Sequence, residues 1–239
     1  MFVLVVKSTT FKLQSISMSI AENLQHIKAS VPEQVTLVAV SKTKSVSKIM
    51  EAYNAGQRIF GENKIQEMVD KEAEMPKDIQ WHMIGHVQRN KVKYMAEFVS
   101  LIHSIDNFKL LKEIDKQAKK HDRTINCLLQ IKIADEDSKF GMTFQEAQDI
   151  LRSEAFAALN NVAIAGVMGM ATFTEDTAQI EQEFKRLKTI FDDLNKLELE
   201  GSKLEIISMG MSGDYHTAID CGSTMIRVGS SIFGERNYG

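Results

Sequence analysis

Three groups of residues in this chain have types and placement suited to chemistry. Lys42 closes the apolar run Val35-Thr36-Leu37-Val38-Ala39-Val40-Ser41. A lysine at a strand mouth is ordinarily a solvated cation. One that is partly desolvated loses proton affinity, and its neutral amine becomes a nucleophile toward a carbonyl carbon, the start of Schiff-base chemistry. Lys44 competes for the same role from two residues further on, past the apolar run. The second group is a pair of glycine- and hydroxyl-rich segments, Ser208-Met209-Gly210-Met211-Ser212-Gly213-Asp214 and Arg227-Val228-Gly229-Ser230-Ser231-Ile232-Phe233-Gly234. Glycine lets a backbone approach an anion closely, and Ser212, Ser230 and Ser231 carry donors; the same residues also end strands and cap helices. The third is Arg227, a charge inside an apolar run. It is costly there unless it meets an acceptor such as a ring nitrogen or a carboxylate; an ion pair at a rim is the alternative.

Other polar motifs carry less. Trp81-His82-Met83-Ile84-Gly85-His86 sets two histidines four apart. That spacing chelates from a helix, but this segment reads as a strand and its end, with no carboxylate at ligand spacing, so no metal site is expected. Met168, Met170, Met209 and Met211 alternate along two strands and read as core or pocket wall.

These groups need elements to position them. Apolar runs at residues 35–42, 58–63, 79–85, 101–106, 125–134, 162–171, 204–212 and 225–234 read as eight buried strands. Between them lie stretches with helical spacing, among them 47–55, 88–98, 107–121, 143–157 and 177–199. Strands that are apolar on both faces and alternate with helices pair in parallel. Eight such units predict a single closed (β/α)8 TIM-type barrel, with a doubly wound open sheet as the second choice. An extra helix near residues 18–30 precedes the first strand and must pack outside the barrel or cover its bottom. In a parallel barrel the site lies at the C-terminal strand ends. Ser41-Lys42-Thr43-Lys44, Gly61-Glu62-Asn63, residues 82–86, Ser104 to Asp106, Met168 to Thr172, and both glycine–serine segments all fall there. Phosphate groups are often held after the last two strands, where those segments lie.

Composition narrows the function classes. Hydrophobic residues at 44% and charged residues at 26% describe a globular chain. With 29 Lys and Arg against 32 Asp and Glu, the net charge of -3 offers no basic footprint for nucleic acid or for an acidic membrane. No apolar run reaches the roughly 20 residues of a membrane span. The opening Met1-Phe2-Val3-Leu4-Val5-Val6-Lys7 lacks the basic region, long apolar core and cleavage site of a secretory signal. The expected location is therefore the cytoplasm. Cys127 and Cys221 read as two buried free thiols. Residues 1–17 read as an extension of doubtful origin, with Met18 an alternative start, and residues 18–239 as one barrel domain.

Several of these segments together resemble a known family. They are Val38-Ala39-Val40-Ser41-Lys42-Thr43-Lys44, Phe60-Gly61-Glu62-Asn63 with Gln66-Glu67, Trp81-His82-Met83-Ile84-Gly85-His86-Val87-Gln88 with Asn90-Lys91, Ser208-Met209-Gly210-Met211-Ser212 with Asp214, and Arg227-Val228-Gly229-Ser230 with Ile232-Phe233-Gly234. In order and type they resemble the YggS/PROSC family of pyridoxal phosphate homeostasis proteins. The resemblance implies the barrel of alanine racemase without its C-terminal β-domain. It implies pyridoxal 5'-phosphate (PLP) as cofactor, held as a Schiff base on the lysine matching Lys42. The family's phosphate pocket matches Ser212, Gly229 and Ser230, its arginine beside the pyridine nitrogen matches Arg227, and a residue close to the cofactor ring matches Asn63. It further implies a role in PLP homeostasis, with apo forms of PLP enzymes as acceptors and no settled reaction.

Three functions compete on these residues: a PLP carrier, a PLP-dependent amino-acid racemase, and a Schiff-base aldolase. An arginine at the ring nitrogen disfavours protonating that nitrogen, which weakens the ring as an electron sink. A two-base racemase also needs a second base, which in alanine racemases is a tyrosine of the partner's β-domain. Of Tyr53, Tyr94, Tyr215 and Tyr238, only Tyr215 lies in a strand-end loop. The carrier is therefore the expected function, no catalytic residue is assigned, and the missing domain favours a monomer.

Overall fold

The computed structural model describes residues 18–134, 140–197 and 204–235. Residues 1–17, and with them the expected N-terminal extension, lie outside the described residues, as do 198 and 199 of the expected helix 177–199.

Eight parallel strands close into a barrel in chain order. They are β1 Thr36–Val40, β2 Ile59–Glu62, β3 Gln80–Met83, β4 Leu101–Ile105, β5 Ile125–Gln130, β6 Val162–Met168, β7 Ile206–Ser208 and β8 Met225–Val228. β8 pairs with β1, setting Val38 against Arg227 and Ala39 against Val228. The α-helices are α1 Ile20–Ser30, α2 Val46–Asn54, α3 Ile65–Glu74, α4 Phe108–Ala118, α5 Phe144–Arg152, α6 Glu154–Ala157, α7 Thr177–Asn195, α8 Tyr215–Asp220 and α9 Ser230–Phe233.

Successive strand residues face opposite sides of a sheet. Here Ala39, Phe60, Trp81, Met83, Ile102, Leu129, Val167, Ile207, Ile226 and Val228 face outward into the large core shared with the helices. Val38, Leu101, Leu128, Met168 and Met225 form a smaller cluster inside the barrel. Both strand faces are covered, which is why the strands read as nearly continuous apolar runs.

The extra helix packs outside the barrel. Ser19 and Glu22 form a capping box at the start of α1, and Leu24 and Ile27 are buried, worth about 1.5–3 kcal/mol each. Asn23 donates to the Ile232 carbonyl at 3.2 Å, while Gln25 and Lys28 donate to the carbonyls of Ala55 and Gly56. α1 therefore closes the seam between α9 and α2.

Several strands end earlier than the sequence expectation, among them β5, β6 and β7, and in three places the element itself changes. The run 225–234 is a strand only to Val228; Ser230–Phe233 is one helical turn, too short to show a period. The stretch 88–98 buries Val92, Met95 and Ala96 at helical spacing. Its backbone nevertheless forms a 3-10 helix over Arg89–Tyr94, with bonds from Lys91 to Gln88 and from Met95 to Val92. The stretch 143–157 is split at Ser153, which caps α6 through the Phe156 amide.

Candidate cofactor site

The lysine is placed by the strand before it and by a charged cluster behind it. The alternation that puts Val38 inside and Ala39 outside continues through Val40 to Lys42, which is half-buried at the barrel mouth. Thr43 then takes a positive φ of 64°, and the chain leaves the strand direction at once. Ser41 faces outward, and its hydroxyl donates to Glu62 Oε1 at 2.6 Å. Lys71 of α3 donates to the same oxygen at 2.7 Å, to Glu67 Oε1 at 2.7 Å and to the Ser41 carbonyl at 2.9 Å. Glu67 Oε1 also accepts from the Thr43 amide at 2.5 Å. Both peptide groups that flank Lys42 are thus tied to one helix. Burial raises the Glu62 carboxyl above its ordinary value even against the pull of Lys71, and Glu62 Oε2 has no hydrogen-bond partner among the described residues.

Lys44 has a different position. Its Nζ lies 3.3, 2.9 and 3.1 Å from the carbonyls of Phe233, Gly234 and Glu235. It caps the exit of α9, whereas Lys42 stands half-buried at the barrel mouth.

Neighbouring strands bring the other sequence-named residues to the same mouth. β1 pairs with β2 at Val40 and Gly61; two residues further, the same register sets Lys42 beside Asn63, which is half-buried. A side chain on Gly85 would strike the Asn63 backbone, so glycine there lets the ends of β2 and β3 close together. On the other side, a Cβ on Gly229 would come within 3.2 Å of Val40 Cβ and of the Val40 carbonyl. The glycine–serine segment therefore abuts the strand that carries Lys42. The Gly229 amide donates to Ser212 Oγ at 3.2 Å, joining the two segments. Exposed Ser230 opens α9, ahead of the Ile232 and Phe233 amides that donate to the Gly229 carbonyl.

Arg227 lies one inward position below Gly229 and is only 4% exposed. Its Nη1 donates to Ser208 Oγ at 2.6 Å and its Nη2 to the Gly169 carbonyl at 3.1 Å. Both partners are neutral, and no ion pair involves Arg227 among the described residues. Burial lowers its pKa to about 10, a fall that the field of Asp214 opposes. Ser208 also meets buried His103, whose Nε2 lies 3.1 Å from His82 Nδ1. Burial holds His82 at about 3 and His103 well below the ordinary histidine value, so both are neutral.

The sequence reading named Ser208 and Glu62 only as members of strand-end segments, with no role of their own, and did not name His103 or Lys71. The signal for the interior group was a polar residue at an inward position of an apolar strand, as His103 is in Leu101-Ile102-His103-Ser104-Ile105. Lys71 gave none, since a lysine on a charged helix reads as solvated. The histidine pair of the 81–86 motif is separated by the fold: His82 points into the barrel, while half-exposed His86 lies 3.3 Å from Asp106 and stacks on Phe140. No cluster of three metal-ligating side chains occurs among the described residues. Tyr215 turns away from the mouth, its hydroxyl 3.2 Å from Ser30 Oγ at the end of α1. Cys127 and Cys221 are free and buried, as expected.

PLP presents an aldehyde, a phosphate and a ring nitrogen, and the residues present fit all three. Lys42 offers an amine. Ser212, Gly229 and Ser230 offer hydroxyl and amide donors. Arg227 offers a buried guanidinium with donors to spare and no carboxylate on it among the described residues. The barrel and this mouth define a protein of the alanine racemase barrel class. The family model "Alanine racemase, N-terminal domain" matches residues 17–237. The chain belongs to the family of pyridoxal phosphate homeostasis proteins. It is 40% identical over 225 residues to the protein of that name from Pasteurella multocida, covering 92% of this chain and 95% of the relative. With the Escherichia coli K12 protein of the same name it shares 34% identity over 233 residues, 92% and 97% of the two chains. The solved structure of PipY from Synechococcus elongatus with PLP bound superposes with a TM-score of 0.83 at 34% identity, covering 90% of this chain and all of that one. Alanine racemase of E. faecalis shares the fold at a TM-score of 0.70 and 17% identity; 91% of this chain matches 58% of that one. No helix among the described residues is long and apolar enough to cross a membrane.

Proposed function

We propose that this chain holds PLP covalently on Lys42 and serves intracellular PLP homeostasis as a carrier rather than as an enzyme. The reading takes residues 18–239 as the barrel unit that carries this function, acting in the cytoplasm as a monomer, with apo forms of PLP enzymes as acceptors. The observation that carries it is the contact of Gly229 with Val40, which sets the glycine–serine segment and Arg227 on the strand next to Lys42. When bound, PLP supplies an aldehyde that an amine can capture and a ring that can accept electrons. Lys42 supplies the amine from a partly desolvated position. Ser212 and Ser230 would hold the phosphate beside Gly229, whose amide positions the Ser212 hydroxyl, and Asn63 would border the ring. Arg227 stays protonated at neutral pH, so it donates a hydrogen bond to the ring nitrogen without surrendering the proton.

The protein purified with PLP should be yellow, and borohydride should fix the cofactor on a single lysine. Peptide mapping should find it on Lys42, and Lys42→Ala should abolish the adduct while Lys44→Ala keeps it. An adduct on Lys44, or on no lysine, would overturn the assignment.

A further inference from the structure

The barrel interior holds a polar chain that the lysine and the phosphate segment do not account for. Arg227 of β8, Ser208 of β7, His103 of β4 and His82 of β3 are all buried. The links are 2.6 Å from Arg227 Nη1 to Ser208 Oγ, 3.0 Å from Ser208 Oγ to His103 Nδ1, and 3.1 Å from His103 Nε2 to His82 Nδ1. The direction of each bond follows from donor supply. A guanidinium only donates, so Ser208 Oγ accepts from Arg227. The serine proton then needs an acceptor, and among the described residues His103 Nδ1 is the one within reach. Leaving a buried hydroxyl proton without an acceptor costs more than the bond itself contributes. His103 therefore carries its proton on Nε2 and donates to His82 Nδ1, which leaves the His82 proton on Nε2 as well.

We propose that Ser208, His103 and His82 are positioning residues: a one-way hydrogen-bond chain that seats the Arg227 guanidinium and so sets the preference for a ligand ring bearing a nitrogen acceptor. One N–H on Nη1 is committed to Ser208 and one on Nη2 to the Gly169 carbonyl. Two anchored ends fix the plane of the fork. Nε–H and one N–H on each terminal nitrogen remain for a ligand. Without the serine the fork is held at one end and its plane can swing. The link to the ring rests on the function proposed above; the bond directions do not.

The test has two arms. In the first, the full-length protein stripped of ligand is labelled with 15N-histidine, its six histidines are assigned by substitution, and two-bond proton–nitrogen correlations are recorded at neutral pH. His82 and His103 should both be neutral, with the proton on Nε2. A proton on His103 Nδ1, or an imidazolium at either position, overturns the chain. The second arm measures affinity for PLP and for its analogue with CH in place of the ring nitrogen. Ser208→Ala should lose PLP affinity on the order of tenfold and leave the analogue unchanged, and Ser208→Thr should restore the preference for PLP. Circular dichroism checks that each variant is folded. If Arg227→Lys loses the preference and Ser208→Ala keeps it, the positioning role fails. If Arg227→Lys also keeps it, the ring-nitrogen contact of the proposed function fails instead, and the tautomers alone decide the chain.

Discussion

Lys71 Nζ lies 2.9 Å from the Ser41 carbonyl, the acceptor of the peptide group that leads into Lys42. The cluster around it fixes the direction in which the site lysine leaves its strand. The Lys71 side chain is 7% exposed and that of Glu62 is fully buried. Removing one partner of such a pair strands the other. Lys71→Met should lower stability by roughly 3–5 kcal/mol, read as a lower urea midpoint at unchanged slope. The double variant Lys71→Met/Glu62→Gln removes the stranded charge and should recover much of that loss. A Lys71→Met protein as stable as wild type would show the cluster to be dispensable.

The two buried imidazoles predict how stability depends on pH. His82 is held at about 3 and His103 well below its ordinary value, both chiefly by burial. A base with a depressed folded value binds fewer protons folded than unfolded. The stability it contributes is therefore complete above the unfolded value, about 6.5, and is lost as pH falls toward the folded value. Each such group costs about 1.4 kcal/mol per pH unit in that window, about 2.7 kcal/mol for the pair. Glu62 acts in the opposite sense, because a raised carboxyl favours the folded state at low pH and loses that contribution as pH rises. It is one proton against two. Urea unfolding between about pH 7.5 and 5 should show falling stability, and His103→Gln should remove about half the slope. A flat profile would mean that the histidines are solvated or paired with acids.

Ser212 and Ser230 should hold the phosphate. A charge-assisted hydrogen bond contributes roughly 1.5–3 kcal/mol. The paired alanine variant should therefore lose PLP far more readily than wild type, and it should discriminate less between PLP and pyridoxal. Equilibrium binding of both ligands to the full chain decides the point. Unchanged affinity together with unchanged discrimination would put the phosphate elsewhere.

The legibility of these features in the sequence followed their physical range. The eight strands were readable because a strand covered on both faces must be apolar throughout, so each left a local signal. Strand ends were less so: residues 229–234 stay apolar enough to pass for strand, yet Gly229 breaks the ladder and one turn of helix follows. Lys42, Ser212 and Arg227 stood out as candidates because each is an unusual residue at a strand end or inside an apolar run, while the role of Asn63 came from the family resemblance. The supports were not. Lys71 becomes buried only because α3 lays it across the ends of β1 and β2, and His103 meets His82 and Ser208 only through barrel closure. Tyr215 shows the converse. Its position after β7 made it a candidate second base, and its side chain points to Ser30 instead.

The last prediction separates carrier from racemase. Tyr215 is engaged with α1, Tyr53 bonds to Asp78 on the outer surface, and Tyr94 lies exposed at the end of the 3-10 helix. None of these three is placed to remove a proton opposite Lys42. On the strand-end face His86 lies beside Asp106, stacked on Phe140 and half-open to solvent. General acid–base help is typically worth about 10²–10⁴-fold, so a site short of one base should racemise amino acids barely above background. Arg227, protonated and buried, adds to this by offering the ring nitrogen a hydrogen bond rather than a proton. An apoenzyme that needs PLP, by contrast, should gain activity when mixed with the loaded protein. Both assays are run side by side: α-proton exchange and racemisation of alanine and several other amino acids, and reactivation of a PLP-dependent apoenzyme. His86→Ala should leave both unchanged. Turnover at roughly 1–10³ per second, lost in Lys42→Ala, would replace the carrier by the racemase; turnover lost in His86→Ala as well would name the second base.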